Sequence, residues 1–147
     1  MNIAVTERLA MERDELEAYL AQVFPQIFAR ANEYSLETVE LGRVVVCLQA
    51  GEAHLRPGNT VSGPVLMTLA DLAAYALILS HEGEQALAVT TNLNINFLRK
   101  AEAGTVYASC RFLKRGKRLM VVDCEIYGAD RQKVVAHTTM TYSMPPR

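Results

Sequence analysis

The stretch SGPVLMTLADLAAYALILS, residues 62–80, decides how the rest of the chain must fold. Wound as a helix it is apolar on every face, so other structure has to wrap around it. Ser62 is a favourable N-cap and the following proline suits a first turn, and the helix is expected to end before Gly83. Its nearly apolar run, 65–79, has 15 residues, whereas a membrane span needs about 20. We therefore expect a buried core helix.

Strand-like alternation dominates the chain on both sides of this helix. Runs of alternating apolar residues, separated by turn residues such as Gly42 and Gly116, predict strands. The predicted strands are 36–41, 44–48, 89–97, 105–113, 119–127 and 133–142. The simplest packing is an α+β fold in which a strongly curved antiparallel sheet wraps around one long central helix. A single sheet leaves its outer edges exposed, so we expect the chain to associate with itself.

The N-terminal part, residues 1–34, is predicted to be a helical extension of a single domain spanning 1–147. Apolar residues at spacings of three and four predict a helix over 12–23, and Pro25 should break it and start a short helix over 25–32. A chain of 147 residues is long enough to bury a sizeable core without disulfides.

The numbers and spacing of the cysteines and histidines indicate which cellular compartment and which metal sites to expect. The three cysteines are odd in number and widely spaced, which argues against a disulfide framework or a zinc site. The three histidines are isolated, so we expect no metal. Charged residues interrupt the N-terminal apolar positions, so no signal peptide is predicted. These observations favour a reducing cytoplasm and no membrane association.

The formal net charge of −1 hides an uneven distribution. Residues 1–98 carry 5 basic and 12 acidic side chains, and 99–147 carry 10 basic and 4 acidic ones. Much of the positive charge lies on two turns, 99–100 and 114–118, which we expect an antiparallel meander to bring together near one mouth of a groove. This pattern is typical either of a phosphate site or of a solvated hairpin tip. Nucleic acid is disfavoured because no aromatic platform accompanies the basic residues.

Asp71 is the one charged residue between Arg56 and His81. Burying an ionised carboxylate without partners is costly, so such groups pair, hydrogen-bond or shift their pKa. A carboxylate in an apolar cleft suits a general base or a nucleophile. The structural alternative is that Asp71 bonds to Thr68 or to an amide of a partner chain and holds the helix in place. The residues alone favour neither.

The start of the same helix offers a second element. Free backbone N–H groups there attract negative charge, and Gly63 leaves room for a carbonyl to approach; simple capping is the plainer explanation. Gly63 and Asp71 are eight residues apart, roughly 12 Å along a helix. They are too far apart to serve one reacting atom within one chain. We hypothesise that Gly63 of one subunit faces Asp71 of the other.

The strand 89–97 alternates cleanly in sequence, with Thr90 and the following asparagines at 92, 94 and 96 on one face. This polar row predicts either a solvated sheet face or the lining of a subunit contact or ligand channel. Thr90, nearest the strand start, is predicted to orient a water or a thioester. Ser62 is expected to cap the helix rather than act as a nucleophile, because no GxSxG motif surrounds it.

Several motifs, taken in order, resemble one family. They are the loop-to-helix glycine in RPGNTVSGPVLM, the LAD of the central helix at 69–71, the strand end NFLRKA at 96–101 and the hairpin RGKR at 115–118. This series, within about residues 36–143, is similar to hotdog-fold acyl-CoA thioesterases of the phenylacetate-degradation type. The resemblance implies hydrolysis of an acyl-CoA to a carboxylic acid and CoA, by dimers or dimers of dimers, without a metal. Coenzyme A would be part of the substrate rather than a separate cofactor.

The resemblance also implies roles for individual residues. Asp71 would be the catalytic carboxylate, the Gly63 N–H would polarise the thioester carbonyl, and the Thr90 hydroxyl would assist. The residues that would meet CoA phosphates are Arg99, Lys100, Arg115, Lys117 and Arg118. The residues that would contact the rest of the substrate are Arg56, Ser62 and Asn92.

The chain departs from the family where Ser62-Gly63-Pro64 replaces the usual His-Gly-Gly. The change removes a histidine that helps to shape the site, and the proline removes a backbone donor. It slightly favours a second class, a non-catalytic acyl-CoA-binding or regulatory hotdog protein. A hotdog dehydratase would need a histidine in the helix region, where the sequence predicts none. The expected function is acyl-CoA thioester hydrolysis.

Overall fold

One long helix, α3 (Gly63–Glu82), forms the centre of the computed structural model, which describes residues 7–29 and 33–146. Every residue of α3 from 72 to 81 is buried. Among the described residues α3 is the one helix long and apolar enough to cross a membrane, but two thirds of its apolar window (67%) is buried inside the protein. It is the core helix that its all-round apolar sequence predicts.

The two ends of α3 are fixed by specific contacts. The Ser62 hydroxyl accepts the N–H of Val65 at 3.4 Å, and the helix stops at Gly83, whose φ of +85° favours glycine. The helix includes His81, so the prediction that no histidine lies in it is wrong. The buried His81 ring accepts the N–H of Gly42 on Nε2 at 2.9 Å, which ties the end of α3 to a turn of the sheet.

Six antiparallel strands wrap around α3 in the order β1-β2-β6-β7-β8-β5. They are β1 (Tyr34–Glu40), β2 (Arg43–Ala50), β5 (Val89–Phe97), β6 (Gly104–Arg115), β7 (Leu119–Tyr127) and β8 (Val134–Ser143). A separate small hairpin, β3 (Leu55–Arg56) and β4 (Thr60–Val61), precedes the helix. All six predicted strands are present within a few residues of their predicted bounds. The arrangement confirms the α+β hotdog fold.

The core lies between α3 and the inner face of the sheet. Alternate residues of the strands point inward and are apolar, and they pack against helix side chains such as Leu69 and Leu77, both fully buried. Helices α1 (Arg13–Val23) and α2 (Pro25–Phe28) cover one side of this core. The helix predicted over 25–32 ends at Phe28, and residues 1–6 and 30–32 of the predicted extension lie outside the described residues.

The edge strand β5 breaks the alternation that its sequence predicts. Its register against β8 shifts between Thr90 and Asn92, which makes Thr91 a β-bulge. Thr90 lies opposite the inward-facing Tyr142, whereas Asn92 lies opposite Thr141 on the outer face. The prediction that Thr90 and Asn92 share one face is therefore wrong, because the extra residue turns the Thr90 side chain toward α3.

Candidate active site

The carboxylate of Asp71 lies where α3 faces the start of β5 and the end of β8. Its Oδ1 accepts two short hydrogen bonds, one from the Thr90 hydroxyl at 2.6 Å and one from the Tyr142 hydroxyl at 2.6 Å. The contact with Thr68 is not formed, since that hydroxyl donates to the Pro64 carbonyl at 3.1 Å. No other described side chain bonds to the carboxylate, so Oδ2 has no protein partner among the described residues.

The local sequence explains why these three groups meet. Thr90 and Tyr142 are directly opposite across β5 and β8, and the bulge after Thr90 sends both side chains to the same inner face. Tyr142 is missing from the residues predicted from sequence. Its signal was the alternation of the last strand, which places it inward, together with the need of a buried tyrosine hydroxyl for a partner.

Tyr142 is held as a neutral phenol. The side chain is 2% exposed, and burial raises its pKa, with further increases from the negative charge of Asp71 and the hydrogen bond to it. The phenol therefore keeps its proton and donates a hydrogen bond to Oδ1. The neighbouring ring of Tyr75 stacks on Tyr142 at 6.5 Å, and burial raises the pKa of Tyr75 to about 12.

Asp71 borders a cavity of about 390 Å³. Its other walls are mostly hydrocarbon and aromatic ring, and they come from α3, from the N-terminal helices and from the start of β5. The lining includes the apolar side chains of Phe24, Leu72, Ala88 and Val89 and the ring of Tyr75, and Gln26 and Thr90 add polar groups. A half-buried carboxylate that faces an apolar cavity, with one oxygen unbonded by any described residue, is suited to proton abstraction or nucleophilic attack on an apolar substrate.

The first turn of α3 borders a different cavity, also of about 390 Å³. The ring of Phe97 packs so closely there that a Cβ on residue 63 would lie 3.2 Å from its Cζ, so a larger residue would require a small shift of this ring. The Gly63 N–H has no acceptor among the described residues. Arg56, Arg99 and Lys100 line the same cavity, so three of the predicted basic or substrate-contacting residues gather around Gly63.

The basic hairpin tip lies at the other end of the helix. Lys117 and Arg118 line a cavity of about 760 Å³ beside Arg115 and Glu82, the last residue of α3, and a 20-residue helix is roughly 30 Å long. Arg115 is engaged in ion pairs with Glu82 and Glu7. The prediction that the two basic turns gather at one mouth is therefore wrong within one chain, because the β6–β7 hairpin and the end of β5 are at opposite ends of α3.

Two predicted substrate contacts are not brought to Asp71. The Ser62 hydroxyl is used as the helix cap, and Asn92 is exposed on the outer face of the sheet, away from the helix. The outcome for Asn92 follows from the β5 bulge.

Sequence comparison identifies the family. The model of the thioesterase superfamily matches residues 58–142. This range includes Asp71, Thr90 and Tyr142 together with Gly63, and it covers more than half of the chain. The chain belongs to the thioesterase superfamily, as the sequence resemblance predicts.

Individual relatives agree with this assignment. A Pseudomonas aeruginosa protein proposed to be an esterase is 30% identical over 105 residues, which cover 70% of this chain and 76% of that protein. The crystal structure of a proposed thioesterase from Silicibacter sp. TM1040 is 45% identical, covers 95% of both chains and superposes with a TM-score of 0.86. A hypothetical thioesterase protein from Streptococcus pneumoniae, solved with coenzyme A, is 21% identical, with 80% and 92% of the two chains covered and a TM-score of 0.71. The last similarity shows the shared fold.

The state of Tyr142 makes the stability of the protein sensitive to alkali. Unfolded tyrosine ionises near pH 10, whereas folded Tyr142 keeps its proton to higher pH because its pKa is raised. The stability from this shift is complete below pH 10 and is lost as the pH rises toward the folded-state pKa. Above pH 10 the difference in the free energy of unfolding between wild type and Tyr142→Phe should decrease by on the order of 1 kcal/mol per pH unit. Urea unfolding of both proteins between pH 8 and 11 measures it, and curves that stay parallel would contradict the buried phenol.

Proposed function

We propose that this protein hydrolyses an acyl-CoA thioester to a carboxylic acid and free CoA. One observation carries the proposal: Asp71 faces an apolar cavity with one oxygen held by two hydroxyls and the other without a partner among the described residues. The two donors fix the orientation of the carboxylate and leave Oδ2 to a water or a thioester carbon. Membership of the thioesterase superfamily supports the class of reaction.

In the proposed reaction Asp71 starts the attack on the thioester carbon. As a general base it takes a proton from water, whose oxygen adds to the carbonyl carbon. As a nucleophile its Oδ2 adds directly, and water then hydrolyses the anhydride that forms. In both routes the tetrahedral intermediate collapses with cleavage of the C–S bond, and the CoA sulfur leaves with the electron pair and takes up a proton. Thr90 and Tyr142 hold Oδ1 throughout.

The edge strand β5 supports a homodimer as the active form. No described strand pairs with its outer edge, and large apolar side chains at and beside its ends are exposed: Leu87 is 82%, Val89 56%, Phe97 51% and Leu98 53% accessible. An edge strand with exposed apolar groups is a template for pairing with a second copy. We propose that β5 pairs with β5 of the partner subunit about a twofold axis.

This pairing accounts for the separation between Gly63 and Asp71. Thr90, at the start of β5, bonds to Asp71, and Phe97, at its end, packs on Gly63. Antiparallel pairing of two copies of β5 sets the start of one strand beside the end of the other. The Gly63 N–H of the partner subunit is then proposed to donate a hydrogen bond to the oxyanion that develops on the thioester carbonyl beside Asp71. A further dimer of dimers is compatible with the same site.

The same pairing supplies basic groups for the CoA phosphates. Arg56, Arg99 and Lys100 surround Gly63, so in the proposed dimer they stand beside the partner's Asp71. Guanidinium and ammonium groups are good phosphate ligands, and the Streptococcus pneumoniae protein of the same fold was solved with coenzyme A. Because Arg115 is already paired with two carboxylates, we propose that the 115–118 hairpin is a solvated surface. The three cysteines are free thiols, which suits a cytoplasmic location.

Replacing the carboxylate by an amide tests the role of Asp71. Asp71→Asn keeps the shape of the side chain but neither takes a proton nor attacks, so kcat should fall by about 10²–10⁴. The measurement is thiol release from a panel of acyl-CoAs. The matched control is Asp14→Asn on α1, whose side chain is 94% exposed and which should leave turnover unchanged.

Two outcomes would overturn the proposal. Unchanged turnover of Asp71→Asn on every thioester that wild type hydrolyses would remove Asp71 from the reaction. Release of no CoA by wild type, alongside saturable CoA binding, would show a non-catalytic acyl-CoA-binding protein, the class that the Ser62-Gly63-Pro64 sequence slightly favours.

A pair of substitutions at Gly63 tests the shared site. Gly63→Ala and Gly63→Pro both place carbon against Phe97, but only proline removes the N–H, so kcat should fall by about 10²–10³ in Gly63→Pro and much less in Gly63→Ala. Equal amounts of the unfolded Gly63→Pro and Asp71→Asn chains, refolded together, should regain about a quarter of wild-type activity. The reason is that half of the dimers are hybrids, and each hybrid has one intact site out of two. A mixture as inactive as its components would argue against a site shared between subunits.

A further inference from the structure

The N-terminal extension contributes to the cavity that contains Asp71. The family model begins at residue 58, so α1 and α2 lie outside it. Nevertheless Val23, Phe24 and Gln26 line the same cavity as the carboxylate. The proposed chemistry uses none of these residues, so their contribution must be to the shape of the cavity.

Phe24 reaches the cavity because the chain bends at this residue. It is the residue between α1 and α2, with φ of −133° and ψ of 58°, and Pro25 follows it. Proline cannot continue the hydrogen bonding of the preceding helix, and the residue before a proline avoids helical geometry. The break turns the Phe24 ring toward α3, and Phe28 packs behind it at 6.1 Å between ring centroids.

A row of aromatic rings connects Phe24 with Asp71. The Phe24 ring meets Tyr75 edge-on at 6.2 Å, and Tyr75 stacks on Tyr142, which is bonded to Asp71. Tyr75 follows Asp71 by one helical turn and shares its face of α3. The row therefore leads from the carboxylate along the cavity and reaches the N-terminal extension at Phe24.

The chemistry of this row fits an uncharged, apolar group. The hydroxyl of Tyr75 donates to the Ala86 carbonyl at 2.7 Å and that of Tyr142 to Asp71, so both polar ends are engaged by protein groups. Of the described residues that line the cavity, Asp71 alone is charged. An acyl group carrying its own carboxylate would be repelled by Asp71, and the described residues that line this cavity include no cation to balance it.

We infer that Phe24 closes the far end of the acyl pocket and sets the longest acyl chain that the enzyme accepts. The substrates are thioesters of neutral, apolar acyl groups whose length is limited by this ring. The inference rests on the proposed thioesterase function, because it places the thioester carbon at Asp71 and the acyl chain along the aromatic row. A cavity of about 390 Å³ is of a size that holds a small ligand.

The test compares chain-length profiles of kcat/KM for straight-chain acyl-CoAs from acetyl to palmitoyl. In Phe24→Ala the longest accepted chain should increase, with kcat/KM rising roughly tenfold or more for thioesters just beyond the wild-type limit, since one methylene in a pocket changes discrimination by roughly 10–200-fold. In Phe24→Trp the limit should move to shorter chains. The opposite shifts keep the test informative if one variant folds poorly.

The matched control is Phe28→Ala, which removes a ring packed on Phe24 that does not line the cavity. Its profile should peak at the wild-type chain length. If wild type hydrolyses acyl-CoAs and all three variants have its chain-length profile, the role of Phe24 is overturned while the thioesterase function is supported. Absence of CoA release by every protein from every thioester would overturn the thioesterase function and this inference with it.

Discussion

A helix that is apolar on every face has to be enclosed, and α3 carries a carboxylate at the point where it is enclosed. The sheet excludes water from the helix, and the same exclusion leaves Asp71 in need of hydrogen-bond donors. Thr90 and Tyr142 supply them from two neighbouring strands, both to Oδ1. The burial that stabilises the fold therefore also produces an oriented carboxylate beside an apolar cavity. At this position the proposed chemistry requires only such a carboxylate.

Strand β5 links this carboxylate with the other elements of the proposed site. One end of the strand holds Asp71 through Thr90, and the other end covers Gly63 through Phe97. Within one chain these ends serve different cavities. Pairing of β5 with a second copy brings the Thr90 end of one strand beside the Phe97 end of the other. The same pairing therefore explains both the exposed apolar groups on this edge strand and the incomplete site within one chain. The uneven charge of the chain fits this picture, since part of its positive half is at the Gly63 end.

Periodic patterns in the sequence predicted the helix and all six strands well, because burial imposes a period on every residue of an element. The same patterns do not predict local departures from this period or contacts between distant residues. A single bulge residue, Thr91, reverses the faces of its neighbours, and no pattern in the strand reveals it. The partnership of Tyr142 with Asp71 joins residues 71 positions apart, so it depends on strand order. The prediction that the two basic turns share one mouth of a groove is wrong, because their separation depends on which end of α3 each turn reaches.

The most direct measurement is a crystal structure of the protein with a non-hydrolysable acyl-CoA analogue in which a methylene replaces the thioester sulfur. We predict a β5-paired dimer with the ketone carbon beside Asp71 Oδ2, the ketone oxygen on the Gly63 N–H of the partner subunit, and the acyl chain along Tyr75 toward Phe24. An analogue bound with its carbonyl away from Asp71, or at an Asp71 site complete within one chain, would contradict it.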